Sequence, residues 1–215
     1  MIRTLFFIPI VLSVLAAAPE PVVMLRPGLW HGDEVPAVKA GDKWWGLFGE
    51  AEAFELREVA VSATEANDPI VDAEDEATGI QIAVAGDNEP FLLLRGDASF
   101  REGKIAGAFS GRRFIFPGEI MHLGFDGNVA LVQLAAFGRA DDRDGQPAMT
   151  HYSLKLYTST TDEQRAQTIA ARDEIDVDAG PWLLWAGDLD RDGRADFLFD
   201  LTDHYNVSHL ALFLS

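Results

Sequence analysis

Apolar residues recur at every second position along most of this chain, in short runs that Gly, Asp, Asn or Pro repeatedly interrupts. Period-two runs of this kind are the signature of half-buried β-strands, and turn residues between them keep the strands short. Residues 52–64 carry Phe54 and Leu56 on one parity and Val59 and Val61 on the other, so a phase change near Arg57–Glu58 predicts a bulge. Further strands are predicted at Ile80–Val84, Phe91–Leu94, Ile105–Phe109 and Arg113–Phe116. Asp126-Gly127 separates Ile120–Phe125 from Val129–Phe137, and that dipeptide favours a tight primed turn. His151–Thr158 sets Tyr152, Leu154 and Leu156 against His151, Ser153, Lys155 and Tyr157, one face buried and one wet. Trp182–Ala186, Asp196–Leu201 and Ser208–Leu214 predict a closing meander, with a turn at Thr202–Asn206.

One segment breaks the pattern. Thr160 and Glu163 have the spacing of a capping box, and Ala166, Ile169 and Ala170 share one side of a helix over 160–172. A strand around Thr168–Ala171 competes with it. No repeat of about 20–50 residues is present. The expected fold is mainly β: a single antiparallel domain, sandwich or irregular barrel, with few or no helices after a signal peptide.

Residues 1–16 have the layout of that signal peptide. Arg3 precedes an apolar run from Leu5 to Leu15, and small residues follow. Cleavage after Ala16 places Val14 and Ala16 at the recognition positions, whereas cleavage after Ala18 would set Pro19 beside the cut. Residues 17–50, rich in Pro, Gly and isolated aromatics, are expected to lie extended over the domain formed by 51–215. The expected location is periplasmic or extracellular. The chain has no cysteine, which excludes disulfides, a lipid-modified cysteine and thiolate-ligated zinc. Acidic residues number 35 against 17 basic, a net charge of −18 that repels phosphate backbones and anionic lipid. Nucleic acid is therefore not an expected partner, nor is membrane insertion expected after signal cleavage.

The segment Gly187-Asp-Leu-Asp-Arg-Asp-Gly-Arg-Ala-Asp196 carries the densest chemistry. Asp188, Asp190 and Asp192 occupy positions 1, 3 and 5 of a metal loop, Gly193 permits the sharp turn, and Asp196 closes the set at position 9. The Arg194 carbonyl at position 7 would add another oxygen. These hard donors call for structural calcium. An EF-hand is excluded, because position 12 is Phe199 rather than glutamate and the flanks are strand-like. With Trp182–Trp185 before it and Phe197–Phe199 after it, the loop resembles the calcium loops of FG-GAP and VCBS-type repeats. That resemblance implies a loop joining two antiparallel strands and holding structural calcium. It covers about 20 residues in a single copy, so it implies no propeller fold.

A second loop, Asp141-Asp-Arg-Asp-Gly145, repeats the Asp-Arg-Asp-Gly core but has Ala140 and Ala148 where ligands would be needed, and is expected to be a solvated hairpin. The acidic stretch 65–78, with Asp72, Glu74, Asp75 and Glu76, is likewise expected to be a solvated loop. The five histidines form no short metal-binding spacing; His204, just after the last hairpin, is the one placed to support the acidic loop. No nucleophile elbow, phosphate-binding loop or dinucleotide fingerprint occurs. Trp44 and Trp45 are adjacent, so a strand would send them to opposite faces; packing in the core or under the N-terminal segment is expected, with one exposed as a glycan platform the alternative. The functional expectation is a non-enzymatic, calcium-stabilised binding or structural module with a protein or glycan ligand. An exported hydrolase of polysaccharide or peptidoglycan with structural calcium is the alternative.

Overall fold

The computed structural model describes residues 21–215, apart from 32–33, 40, 51–52, 74–75, 87, 97–98, 126–129, 144–145, 161–162, 176–178 and 203–207. The expected signal peptide, the Asp126-Gly127 turn, Glu74 and Asp75, and His204 with most of the last turn lie outside these. The strands in chain order begin with β1 (Val23–Leu25), β2 (Gly28–His31), β3 (Trp44–Glu50), β4 (Ala53–Val59) and β5 (Val61–Ala66). Next come β6 (Gly79–Val84), β7 (Leu92–Arg95), β8 (Gly103–Phe114), β9 (Ile120–Leu123) and β10 (Leu131–Arg143). The last five are β11 (Gln146–Ser159), β12 (Gln164–Ile175), β13 (Trp182–Gly187), β14 (Asp196–Asp200) and β15 (Leu210–Phe213). The described residues contain no helix, and so none long and apolar enough to cross a membrane.

All strand pairs are antiparallel, as the period-two patterning requires. An eight-stranded sheet runs β1-β7-β3-β4-β8-β13-β14-β15 and is nearly closed, like a barrel. A four-stranded sheet, β12-β11-β10-β9, and a three-stranded sheet, β2-β6-β5, complete the fold. The expected mainly β architecture is what the molecule has.

Three apolar clusters hold these sheets together. Leu47, Phe54, Leu56, Leu94, Trp185 and Leu198 pack within the eight-stranded sheet. Leu134, Tyr152, Leu154, Leu183, Phe197 and Phe199 fill the space between β13–β14 and the four-stranded sheet. Leu25, Trp44, Ile82 and Leu93 join the three-stranded sheet to β1, β3 and β7. The β13–β14 hairpin therefore contributes to two cores, Leu183, Phe197 and Phe199 to one and Leu184 and Leu198 to the other. A register shift between Leu183 and Trp185 lets Leu184 and Trp185, consecutive in sequence, both enter the barrel cluster. Tyr152 donates its hydroxyl to the Ile115 carbonyl (2.9 Å), and burial, with the Glu119 charge, holds its phenol well above its usual pKa.

Four expectations are corrected. The helix over 160–172 does not form; β12 runs from Gln164 and pairs along β11 from Gln164↔Ser159 to Ile175↔Met149. A fourteen-residue neighbour offers a long ladder of backbone partners, which outweighs a thin apolar stripe. The Thr160–Glu163 signal is real but belongs to a hairpin turn: the Glu163 N–H donates to Thr160 Oγ1 (3.2 Å) and the Thr160 N–H to the Glu163 carbonyl (2.8 Å). Second, 52–64 is not one bulged strand. The chain leaves the eight-stranded sheet after Val59 and enters the three-stranded sheet at Val61, so the phase change marks a change of sheet. Third, Ile105–Phe109 and Arg113–Phe116 belong largely to one strand, β8, whose pairing with β13 is irregular. Fourth, the described part of 17–50 is woven into the sheets as β1, β2 and β3 rather than laid over them. Trp44 and Trp45 do point into different clusters, but both are buried (1% and 7% exposed), so neither is a platform.

The longest hairpin carries its own bulge. Between Phe137↔Ser153 and Arg139↔Thr150 the register shifts, with Gly138 at φ 136° facing His151 at φ 52°. A Cβ at Gly138 would stand 2.9 Å from the Thr150 carbonyl, so only glycine fits. Packing predicts the following contrast. Leu198→Ala, at a site with 0% exposure, should cost about 2–5 kcal/mol in urea unfolding. Ile70→Ser, at 83% exposure, should change stability by less than about 0.5 kcal/mol.

Candidate metal site

The acidic segment leaves β13 at Gly187 and re-enters β14 at Asp196, two residues that pair directly across the hairpin. The Asp188 N–H donates to the Ala106 carbonyl (2.9 Å), which ties the loop's first residue to β8. Arg191 and Gly193 take left-handed conformations (φ 64° and 83°), and these curl the chain back on itself. The curl is closed from inside. The Asp192 N–H donates to Asp190 Oδ1 (3.2 Å), the Gly193 N–H to Asp188 Oδ2 (3.0 Å) and the Arg194 N–H to Asp192 Oδ1 (2.8 Å).

Asp188, Asp190 and Asp196 each bring a carboxylate oxygen to within 4.8 Å of the others. Asp196 is fully buried. The Leu189 N–H donates to its Oδ2 (2.7 Å) and the Ser215 N–H to its Oδ1 (3.0 Å). Burial pushes the Asp196 carboxyl up to about 7; those two N–H groups oppose the rise and the Asp190 charge adds to it. Asp188 is 9% exposed, and its Oδ1 is buried with no hydrogen-bond partner. An orphaned carboxylate oxygen normally costs a desolvation penalty that only a donor or a cation offsets. Two like charges at this spacing also repel by a few kcal/mol, at an effective dielectric constant of about 20. Three converging carboxylates, one of them with an unpartnered oxygen, suit a hard divalent cation such as calcium, and the donor set contains no nitrogen or sulfur.

Of the residues predicted from sequence, Asp188, Asp190 and Asp196 come together, whereas Asp192 stays outside the group. Its carboxylate is taken by the Arg194 N–H and faces the Arg194 guanidinium at 3.9 Å. The Arg194 side chain is exposed, and its carbonyl remains an expectation. Among the described residues no other group of His, Asp and Glu converges in this way. Asp144 and Gly145 of the second Asp-Arg-Asp-Gly run lie outside the described residues; just before the run, Asp141 accepts from the Thr150 hydroxyl (2.9 Å) in the β10–β11 hairpin.

The acidic stretch after β5 holds what the sequence reading missed. Asp72 accepts from the Asp68 N–H (2.7 Å), the Thr78 N–H (2.8 Å) and the Thr78 hydroxyl. The Asp68 and Thr78 donors hold its carboxyl below the usual range. Asn67 caps the Ala73 and Glu76 carbonyls (both 2.9 Å), and buried Asp68 meets His31 Nδ1. The acids tie a compact loop together, and Asn67-Asp68-Pro69 was the signal for it. Asp200 does similar work near the chain's end, accepting from the Thr202 and His209 N–H groups and the Ser208 hydroxyl.

No protein-family model, no curated protein and no solved structure matches this chain significantly. Asp196 has a structural role that does not depend on any metal. In the presence of a chelator, Asp196→Ala should cost about 2–4 kcal/mol in urea unfolding, because two N–H groups lose their acceptor. Asp190→Ala under the same conditions should cost less than half as much.

Proposed function

We propose that this chain is an exported β domain, stabilised by calcium at 188–196, that works as a non-enzymatic binding or structural module outside the cytoplasm. The observation that carries the reading is the convergence of Asp188, Asp190 and Asp196, together with the buried, unpartnered Oδ1 of Asp188. Export is supported by the sequence of residues 1–16, and a chain without cysteine suits a compartment where disulfides would otherwise form. Calcium at this position would neutralise the junction where β13 turns into β14, and both of those strands are core. Its contribution would be to stability. The described residues bring no histidine–carboxylate or nucleophile–base pair to this loop, so the module reading is preferred to the hydrolase.

Extracellular modules commonly bind calcium with dissociation constants of about 10⁻⁴–10⁻³ M. Free calcium at about one hundred times that constant should stabilise the fold by about 2.7 kcal/mol. Thermal melts in chelator and in added calcium check this: the midpoint should rise with calcium in the wild type and stay fixed in Asp190→Ala. An equal midpoint for the wild type in both conditions would overturn the calcium assignment.

A further inference from the structure

A cavity of about 310 Å³ opens between the β8–β13 edge and the far end of the β10–β11 hairpin. Its walls are Phe114, Phe116, Met149 and Trp182, with Arg112 and Arg113 at the mouth. The ring centroids of Phe114 lie 5.1 Å from Phe116 and 5.5 Å from Trp182, both edge-on, so the aromatic wall is continuous. Phe116 is 50% exposed, which leaves apolar surface facing solvent at the opening.

The arginines are set there by an irregularity in the sheet. In a regular strand, Arg112 and Arg113 would point to opposite faces. The β8–β13 register shifts between Leu183↔Arg113 and Trp185↔Ser110, with Gly111 at φ 137°, and both side chains border the same cavity. The Arg112 guanidinium lies 4.3 Å over the Trp182 ring. Stacking occupies its flat face and leaves its in-plane N–H groups free to bond. Among the described residues no oxygen accepts from Arg112. Arg113 pairs with Glu119 at 3.4 Å, both half exposed, which leaves Arg112 as the guanidinium at the mouth with no carboxylate partner among the described residues.

We infer that this cavity binds a small aromatic anion, its ring against Phe114, Phe116 and Trp182 and its carboxylate or sulfonate on the Arg112 fork. The volume suits a ligand of one or two rings, and a planar guanidinium pairs with a carboxylate through two parallel hydrogen bonds. The inference does not depend on whether 188–196 holds calcium, because none of the acidic-loop residues lines this cavity.

The test uses the whole chain in calcium-containing buffer. The fluorescent aromatic sulfonate 8-anilinonaphthalene-1-sulfonate is titrated first, then displaced by 2-naphthoate or by its uncharged counterpart 2-naphthamide. Saturable binding at one site per chain is expected. Naphthoate should displace the probe at concentrations about tenfold or more below naphthamide, the effect of a hydrogen bond to a charged group. Arg112→Gln, an exposed substitution, should weaken probe and naphthoate by about tenfold without moving the melting midpoint or the near-ultraviolet circular dichroism. Equal potency of naphthoate and naphthamide, no saturable binding, or undiminished affinity in Arg112→Gln would each overturn the assignment. The ligand pair is compared in the unmodified protein, so that result stands whatever the variant's stability.

Discussion

The β13–β14 hairpin is the constraint on which the rest of this structure depends. Both of its faces are buried: Leu183, Phe197 and Phe199 serve the core shared with the four-stranded sheet, while Leu184, Trp185 and Leu198 serve the barrel. A hairpin with that burden cannot tolerate a loosely defined end, because a one-residue slip would exchange the two sets of side chains. The acidic loop fixes that end. Asp196 holds the Leu189 and Ser215 amides, and the Ala106 carbonyl holds the Asp188 amide, so register is set by polar contacts as well as by packing.

The acidic residues of this chain therefore do two kinds of work. Most give the surface its strong negative charge, but Asp68, Asp72, Asp196 and Asp200 accept from backbone amides inside loops and close them. A carboxylate is well suited to this, having two oxygens and several lone-pair directions with which to satisfy orphaned N–H groups. In a protein without disulfides, such closures are one means of ordering connections between many short strands. Among the described residues, only at 188–196 do carboxylates crowd one another with an oxygen left over, and that excess separates the candidate ion site from the self-satisfied loops.

Much of the fold was legible because period-two patterning is local. Tyr152, Leu154 and Leu156 are buried as their parity required, and the terminal meander lies where its apolar runs placed it. The failures share a cause: the deciding partner was distant in sequence. Gln164–Ile175 is a strand because β11 lies beside it, and a capping-box spacing cannot say whether the following segment will wind or pair. Trp44 and Trp45 alternate and are buried as expected, but which cluster each joins is decided by distant partners such as Ile82. In the site, three of the four carboxylates could be placed from spacing alone. Asp192 could not, since its neighbour Arg194 claims it. The Arg112–Arg113 mouth depends on a register shift that no short motif announces.

The outer strand β12 has a consequence for how the protein behaves at high concentration. It borders the four-stranded sheet, and an open border is where a further chain could add itself and begin a fibril. Gln164, Arg165, Gln167, Arg172, Asp173 and Glu174 line most of that border with exposed polar or charged side chains. An incoming strand would have to strip water from those groups before gaining any backbone bonds. The same residues that deprived the segment of a strong apolar stripe thus keep the four-stranded sheet from templating its own aggregation.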